Sequence, residues 1–277
     1  MRGNPIHPRE APKPVLLAFD TSTDTMSIAV ERTVEGAPRV WQHRGAGGAQ
    51  ASANLLPVIL DLMAQAGLDF ADLDAVVFGR GPGAFTGLRT ACSVAQGLAF
   101  GAQPARAGRP LPVLPVDTLL AVAEEARFQH ATTDTSALRV LALLDARMDQ
   151  VYAAGYAFDG VGWTQYQETR LDQPENLVLT AGCMLAGNVF GVYGARLPPA
   201  TGLDRVAALP TATALLRLAP ALLAAGHAVS AEQALPLYIR DKVAQTSSER
   251  AAAKLAMSRP DAPKVHDTAV RSTKVVQ

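Results

Sequence analysis

Apolar residues come first in short blocks. VLLAFDTS (15–22) and MSIAVER (26–32) read as two strands around a Thr/Asp turn, and RVWQHR (39–44) as a third. The period then lengthens. Over residues 51–66, Leu55, Ile59, Leu62 and Ala66 share one helical face, and Leu56, Leu60 and Met63 form a second face beside it. Only Asn54, Asp61 and Gln65 make a polar strip. An apolar stripe of somewhat over ~100° suffices to cover one sheet; this arc is about twice as wide, so the helix is expected to be buried on two sides. Pro57 then belongs in its first turn or at a kink. LDAVVFGR (73–80) reads as a fourth strand, 86–100 as a second helix, 111–116 as a short strand and 117–128 as a third helix. The order is β-β-β-α-β-α-β-α.

After a linker at 130–138 the pattern restarts. LLAFDTSTDTMSIAV (16–30) and LALLDARMDQVYAAG (141–155) are each an apolar strand ending in Asp, with a second Asp four residues on and then another strand. Asp20 corresponds to Asp145 and Asp24 to Asp149. A shared opening hairpin predicts a duplicated, two-lobed α/β protein. WTQYQET (163–169) is expected as the third strand of the second half, a long helix over 206–225, and PLYIRDKVAQ (236–245) as the closing segment. The expected division is a disordered segment at 1–13, a first lobe at 14–116, a second at 117–246 and a polar, disordered tail at 247–277.

Net charge is zero over 277 residues, but it is unevenly placed. Residues 15–239 hold 14 basic and 20 acidic groups. An acidic body argues against broad direct contact with nucleic acid, which needs many Lys and Arg contacts to phosphate. No lysine occurs between Lys13 and Lys242, so the body has no P-loop, Schiff-base or general-base lysine. Cys92 and Cys183 lie in apolar surroundings with no CxxC and are expected as buried thiols. No apolar run reaches membrane-spanning length and the N-terminus has no apolar signal core, so a soluble cytoplasmic protein is expected.

The stretch GRGPGAFTGLRTACSVAQGLAF (79–100) has the glycines of a phosphate cradle. It fails the Walker pattern, because Leu88 stands where Lys is needed. It satisfies GxGxxG/A on paper, yet no Asp or Glu lies between Asp74 and Asp117 to hold a ribose. A tight strand-to-helix turn explains the glycines, with Thr86 as N-cap. Gly87, Ala91, Ala95 and Ala99 then line one face of the helix, where a stripe of small residues lets another backbone approach. Asp20 and Asp145 end strands beside turn residues; such carboxylates either serve a metal through water or are ordinary turn chemistry. The five histidines show no metal spacing, and no nucleophile signature is present.

LAFDTSTDTMSIAV, GRGPGAFTGLRTACSVAQGLA, PVDTLLAVA, LLDARMDQVYAAGY and PLYIRDKVA, in this order over about 15–245, resemble the bacterial TsaB (YeaZ) family. The resemblance implies two lobes of the actin/Hsp70/sugar-kinase type. It implies a noncatalytic partner of TsaD, the transferase that places threonylcarbamoyl on A37 of tRNA, with the ATPase TsaE joining them. Any tRNA contact would come only through that complex, no cofactor is implied, and pairing with a second copy is a further possibility for the same surface. By position, the interface falls on the helices at 51–66 and 86–100, with Leu56, Ile59, Leu60, Met63, Gly87, Ala91, Val94, Ala95 and Leu98 as the expected contacts. Asp20, Thr21, Ser22, Gly81 and Gly83 would be a vestigial nucleotide site. TsaD-type catalysts carry paired histidines near the first long helix, whereas residues 50–55 here read QASANL. The nearest stretch to a second-lobe adenosine loop is TAGCMLAGNVFG (180–191). The alternative reading is an ATP-dependent small-molecule kinase of the same fold, supported by Asp20, Thr21, Ser22 and the Gly79–Gly83 loop.

Overall fold

The computed structural model describes residues 13–130 and 137–240. Residues 1–12 of the expected N-terminal segment, most of the linker at 130–138, residues 241–245 of the expected closing segment and the tail at 247–277 lie outside the described residues. The first half contains β1 (Leu16–Asp20), β2 (Thr25–Val34), β3 (Ala37–Ala46), α1 (Ala51–Ala66), β4 (Ala75–Gly81), α2 (Phe85–Ala102), β5 (Val113–Asp117) and α3 (Thr118–His130). The second contains β6 (Leu138–Asp145), β7 (Val151–Phe158), β8 (Trp163–Asp172), β9 (Cys183–Gly187), α4 (Phe190–Tyr193), β10 (Arg205–Ala207) and α5 (Ala212–Ala224).

The duplication read from the two Asp-ended strands extends through both sheets. The first runs β3-β2-β1-β4-β5 and the second β8-β7-β6-β9-β10. In each, the opening three strands pair antiparallel and the last two add in parallel. The fold is therefore the duplicated two-lobed α/β arrangement that the repeated hairpin predicts, of the actin/Hsp70/sugar-kinase type that the family resemblance implies.

Strand alternation sets the layers. Leu17 and Phe19 of β1, with Val76 and Phe78 of β4, pack under α1 and α2. Leu16 and Ala18, with Ala75 and Val77, face the other way onto α5. In the second sheet, Val140, Ala142 and Leu144 of β6 face α3. The sequence boundary at 116/117 thus groups α3 with the sheet it covers, whereas α5 returns to the first sheet. Residues beyond α5 return as well: Val229 bridges Val113, and the amide of Leu237 donates to the carbonyl of Arg80 at 2.7 Å.

The second half departs from the sequence pattern in its helices. The helix expected over 206–225 starts at Ala212, because Pro210 ends the preceding segment and Thr211 caps the helix, its hydroxyl accepting from the Ala214 amide at 3.1 Å. Residues 205–207 form a short strand instead. Within the stretch at 180–191, the nearest to an adenosine loop, Cys183–Gly187 is a strand buried along its whole length. Among the described residues, the second half also lacks the helical cover of the first. Only a short 3₁₀ turn, Pro174–Asn176, lies in α1's place, and α2's counterpart is the four residues of α4.

Candidate functional site

β1 ends at Asp20, wholly buried. Its Oδ1 accepts from the amide of Ser22 at 2.9 Å and from the Ser22 hydroxyl at 2.7 Å, while Oδ2 is buried without a partner. Burial pushes the Asp20 carboxyl up to about 6, and the two Ser22 bonds offset only part of that. Asp145 repeats the motif at the end of β6, its Oδ1 accepting from the amide of Arg147 at 2.8 Å. Asp145 is better supplied: Tyr193 donates to it at 2.7 Å, and its own amide donates to Asn188 Oδ1 at 2.8 Å.

The raised Asp20 value carries a stability prediction. In the folded protein Asp20 holds its proton up to about 6, but in the unfolded chain only to about 3.8. Stability from this group is therefore present below about pH 3.8 and is lost as pH rises through about 6. Asp20→Asn keeps an acceptor for Ser22 and removes the buried charge. Urea unfolding at about pH 8 should show a gain of roughly 1–3 kcal/mol that disappears near pH 4. A less stable variant at the higher pH would show that the ionised carboxylate stabilises the fold.

The Gly-rich loop is filled by the chain itself. The amide of Ala84 donates to the Ser22 carbonyl at 2.7 Å, and the amide of Gly81 to the Thr118 hydroxyl at 3.0 Å. A Cβ on Gly83 would lie 2.5 Å from the Ser22 carbonyl oxygen. A Cβ on Gly87 would lie 1.8 Å from that of Thr21, whose hydroxyl donates to the Gly87 carbonyl at 2.7 Å. The glycines are needed because the β1–β2 turn lies against the start of α2. Thr86 is not the N-cap; α2 begins at Phe85, with Ala84 in the cap position.

Asp20, Thr21, Ser22, Gly81 and Gly83 are thus brought together, in a region where loop amides bond to the chain's own oxygens. Ser22 and Gly83 border a cleft between the lobes with Asp24, Asp145, Arg147 and Asn188, and its volume is about 80 Å³. Arg147 reaches across it, pairing with Asp24 of the first lobe and, at 3.3 Å, with Asp145 of the second. The sequence reads residues 145–150 as a plain hairpin turn. Instead Arg147, Met148 and Asp149 all have left-handed backbone, φ 61°, 53° and 59°. A non-glycine residue held there costs roughly 1–2 kcal/mol. The turn persists because it is bonded throughout: Ala146 to Gln150 at 2.9 Å, Gln150 to Arg147 at 3.1 Å, and Arg240 Nη2 to the Ala146 carbonyl at 2.9 Å. Among the described residues no group of three or more His, Cys, Asp and Glu could hold a metal ion.

α1 and α2 lie side by side on the outer face of the first sheet. The residues expected to contact a partner divide sharply there. Ile59, Met63, Gly87, Ala91 and Ala95 are buried in the chain's own core, and Val94 and Leu98 are half-buried against it. The small stripe Gly87-Ala91-Ala95-Ala99 meets the first sheet and the β1–β2 turn, so those buried residues leave the interface set. Leu56 and Leu60 stay outside, 42% and 49% exposed, as does Phe100 at 45%. On the outward side of α2, Ser93, Gly97 and Gly101 form a second small stripe, and a Cβ on either glycine would meet nothing within 4 Å. The same i, i+4 spacing marks this stripe in the sequence, where it is masked by the more regular Gly87-Ala91-Ala95-Ala99 series.

No helix of the described residues is long and apolar enough to cross a membrane. A family model described as TsaD, tRNA N6-adenosine threonylcarbamoyltransferase, matches residues 48–265. The chain is 34% identical over 243 residues to the "tRNA threonylcarbamoyladenosine biosynthesis protein TsaB" of Escherichia coli (strain K12), covering 83% of this chain and 96% of that one. It is 34% identical over 246 residues to the protein of the same name from Haemophilus influenzae, covering 82% and 94%. The solved structure of YeaZ from Pseudomonas aeruginosa superimposes with a TM-score of 0.70 at 38% identity, covering 82% of this chain and all of that one. With relatives matched over nearly their whole length and the same two-sheet architecture, the chain belongs to the TsaB (YeaZ) family.

Proposed function

We propose that this chain is a noncatalytic subunit of tRNA N6-threonylcarbamoyladenosine (t6A37) formation, pairing with TsaD, and with TsaE in the same assembly, through the outward faces of α1 and α2. The carrying observation is that Leu56 and Leu60 of α1 and Phe100 of α2 are exposed on two adjoining helices, with Ser93, Gly97 and Gly101 open on the outward side of α2. Large apolar side chains grouped on neighbouring helices mark an interaction surface, and small residues between them let a partner helix come close. The relatives' names support the pathway, and the exposed surface supports pairing as the manner of action.

The cleft supports the noncatalytic part. At about 80 Å³ it is well below the roughly 300–1,000 Å³ of ordinary ligand sites. Two of the loop amides, those of Gly81 and Ala84, are already bonded to the chain's own oxygens, and the helix after β9 is one turn long. The kinase reading gains no observation from this arrangement.

The test is reconstitution. Mixed with its cognate TsaD at tens of micromolar, the chain should co-elute in size exclusion, and depletion in its host should lower t6A in tRNA. No complex together with unchanged t6A would overturn the proposal. If the complex forms and the isolated chain also turns over Mg·ATP, the noncatalytic part fails alone.

A further inference from the structure

The outward stripe of α2 continues towards the start of the helix. Arg89 stands four residues before Ser93, and Phe85 four before that, so all follow the same side as Gly97 and Gly101. Two elements border this stripe. α1 exposes Leu56 and Leu60. The segment at 234–240 lies against α2 as well: Cys92 Sγ and Gln96 Nε2 both donate to the Ala234 carbonyl, at 3.1 and 2.9 Å. It exposes Leu235 and Tyr238.

Arg89 is held in place without being paired. Its guanidinium stacks on Phe85, 3.8 Å from the ring centroid, and its Nε donates to the Tyr238 hydroxyl at 3.2 Å. The rings of Phe85 and Tyr238 lie 5.1 Å apart, so the three side chains brace one another. Among the described residues, the terminal nitrogens of Arg89 make no hydrogen bond or ion pair. Arg80, Arg127, Arg147 and Arg217, by contrast, each meet a carboxylate. Neither α2 nor residues 234–240 contain an Asp or Glu, so the elements that hold Arg89 have none to offer it. A loose exposed arginine loses rotamer freedom when a partner fixes it; a braced one has lost most of it beforehand. The open pair of nitrogens fits the two oxygens of a carboxylate.

The surroundings choose among acceptors. A nucleic-acid backbone calls for many cations, and the body of this chain is acidic. A small free anion would leave Leu235, Leu56 and Leu60 in water. A protein segment with one carboxylate among apolar side chains satisfies both the fork and its flanks. We propose that Arg89 is the polar anchor of the α2 face, and that the partner brings to it a helix bearing an Asp or Glu. The carboxylate takes the terminal nitrogens of Arg89, and apolar neighbours on that helix cover Leu235 and the small stripe. Tyr238 is a positioning residue, acting through Arg89. This inference rests on the pairing reading and adds what the partner must carry.

The test titrates the full chain against its cognate TsaD. Arg89→Gln should weaken pairing about tenfold or more and Arg89→Glu about 100-fold or more, with thermal melting close to the parent's because the side chain is exposed. Arg89→Lys should recover only part, since it keeps the charge and loses the fork. Tyr238→Phe should cause a smaller loss that disappears in the Arg89→Gln background. Changing the partner's carboxylates to Lys one at a time should find one that restores pairing to Arg89→Glu. No complex with the parent chain would overturn both readings. A complex that forms with the parent and is unchanged by Arg89→Gln and Arg89→Glu would overturn this inference alone, as would the absence of any restoring carboxylate change. Intact pairing with lost tRNA binding in Arg89→Gln would overturn it too, giving the fork to a phosphate.

Discussion

Arg217→Ala should cost about 3–5 kcal/mol of folding stability, because it strips the shared cation from two buried carboxylates at once. Glu124 and Glu125 are adjacent on α3 and both buried. Arg217 of α5 donates Nε to Glu124 at 2.8 Å and Nη2 to Glu125 at 2.8 Å. Arg127 adds two bonds to Glu124, at 2.8 and 2.9 Å, and the Thr211 hydroxyl donates to Glu125 at 2.7 Å. Burial by itself would push both carboxyls up. The bonds from Arg127, Trp163 and Arg217 hold Glu124 below its ordinary value, and those from Thr211, Arg217 and Gln129 do the same for Glu125. For a lowered value, the stabilisation is present above the unfolded value of 4.5 and is lost as pH falls through the folded one. The deficit of Arg217→Ala should therefore be largest near neutral pH and shrink on acidification, as the orphaned carboxyls take up protons. Urea unfolding across pH measures both features. A deficit under about 1 kcal/mol, or one independent of pH, would show that the network contributes little beyond an exposed pair.

This network was not legible in the sequence. Arg217 lies 92 and 93 positions from its two acids, and nothing local distinguishes it from a solvated arginine. What was legible was periodic or repeated: the α1 pattern, the β1–β2 hairpin, and its copy at β6–β7. β9 escaped because CMLAG is buried on both faces and so shows no alternation. β10 escaped because three residues before a proline carry little pattern. The left-handed turn at Arg147–Asp149 escaped because side chains around it, not glycines, hold it in place.

The site was half legible for a related reason. A stripe of small residues shows that a backbone comes close, but not whose. For Gly87 it is the carbonyl of Thr21 in the same chain. The two-sided apolar arc of α1 was a better signal, since one sheet cannot cover both Ile59 and Leu60. The structure resolves the arc into a buried half, Leu55, Ile59, Leu62, Met63 and Ala66, and an exposed half at Leu56 and Leu60.

That division sets the sharpest contrast available on one helix. Leu60→Arg should leave unfolding within about 0.5 kcal/mol of the parent, since its side chain is half in water already. The same change should weaken pairing with TsaD by about 100-fold or more, because a charge placed in the apolar centre of an interface is left without a partner. Ile59→Arg, one residue earlier, should instead cost more than about 4 kcal/mol and fail to fold, because Ile59 lies in the core between α1 and the first sheet. Pairing lost in Ile59→Arg would therefore say nothing of the interface, whereas pairing lost in a stably folded Leu60→Arg would locate it on this face of α1. Thermal melts with titration against TsaD read both quantities. A folded Leu60→Arg that still pairs with parental affinity would remove α1 from the contact and leave the outward stripe of α2, where Gly97→Leu is the corresponding substitution: it enters open space in the isolated chain and blocks only a close-packed partner.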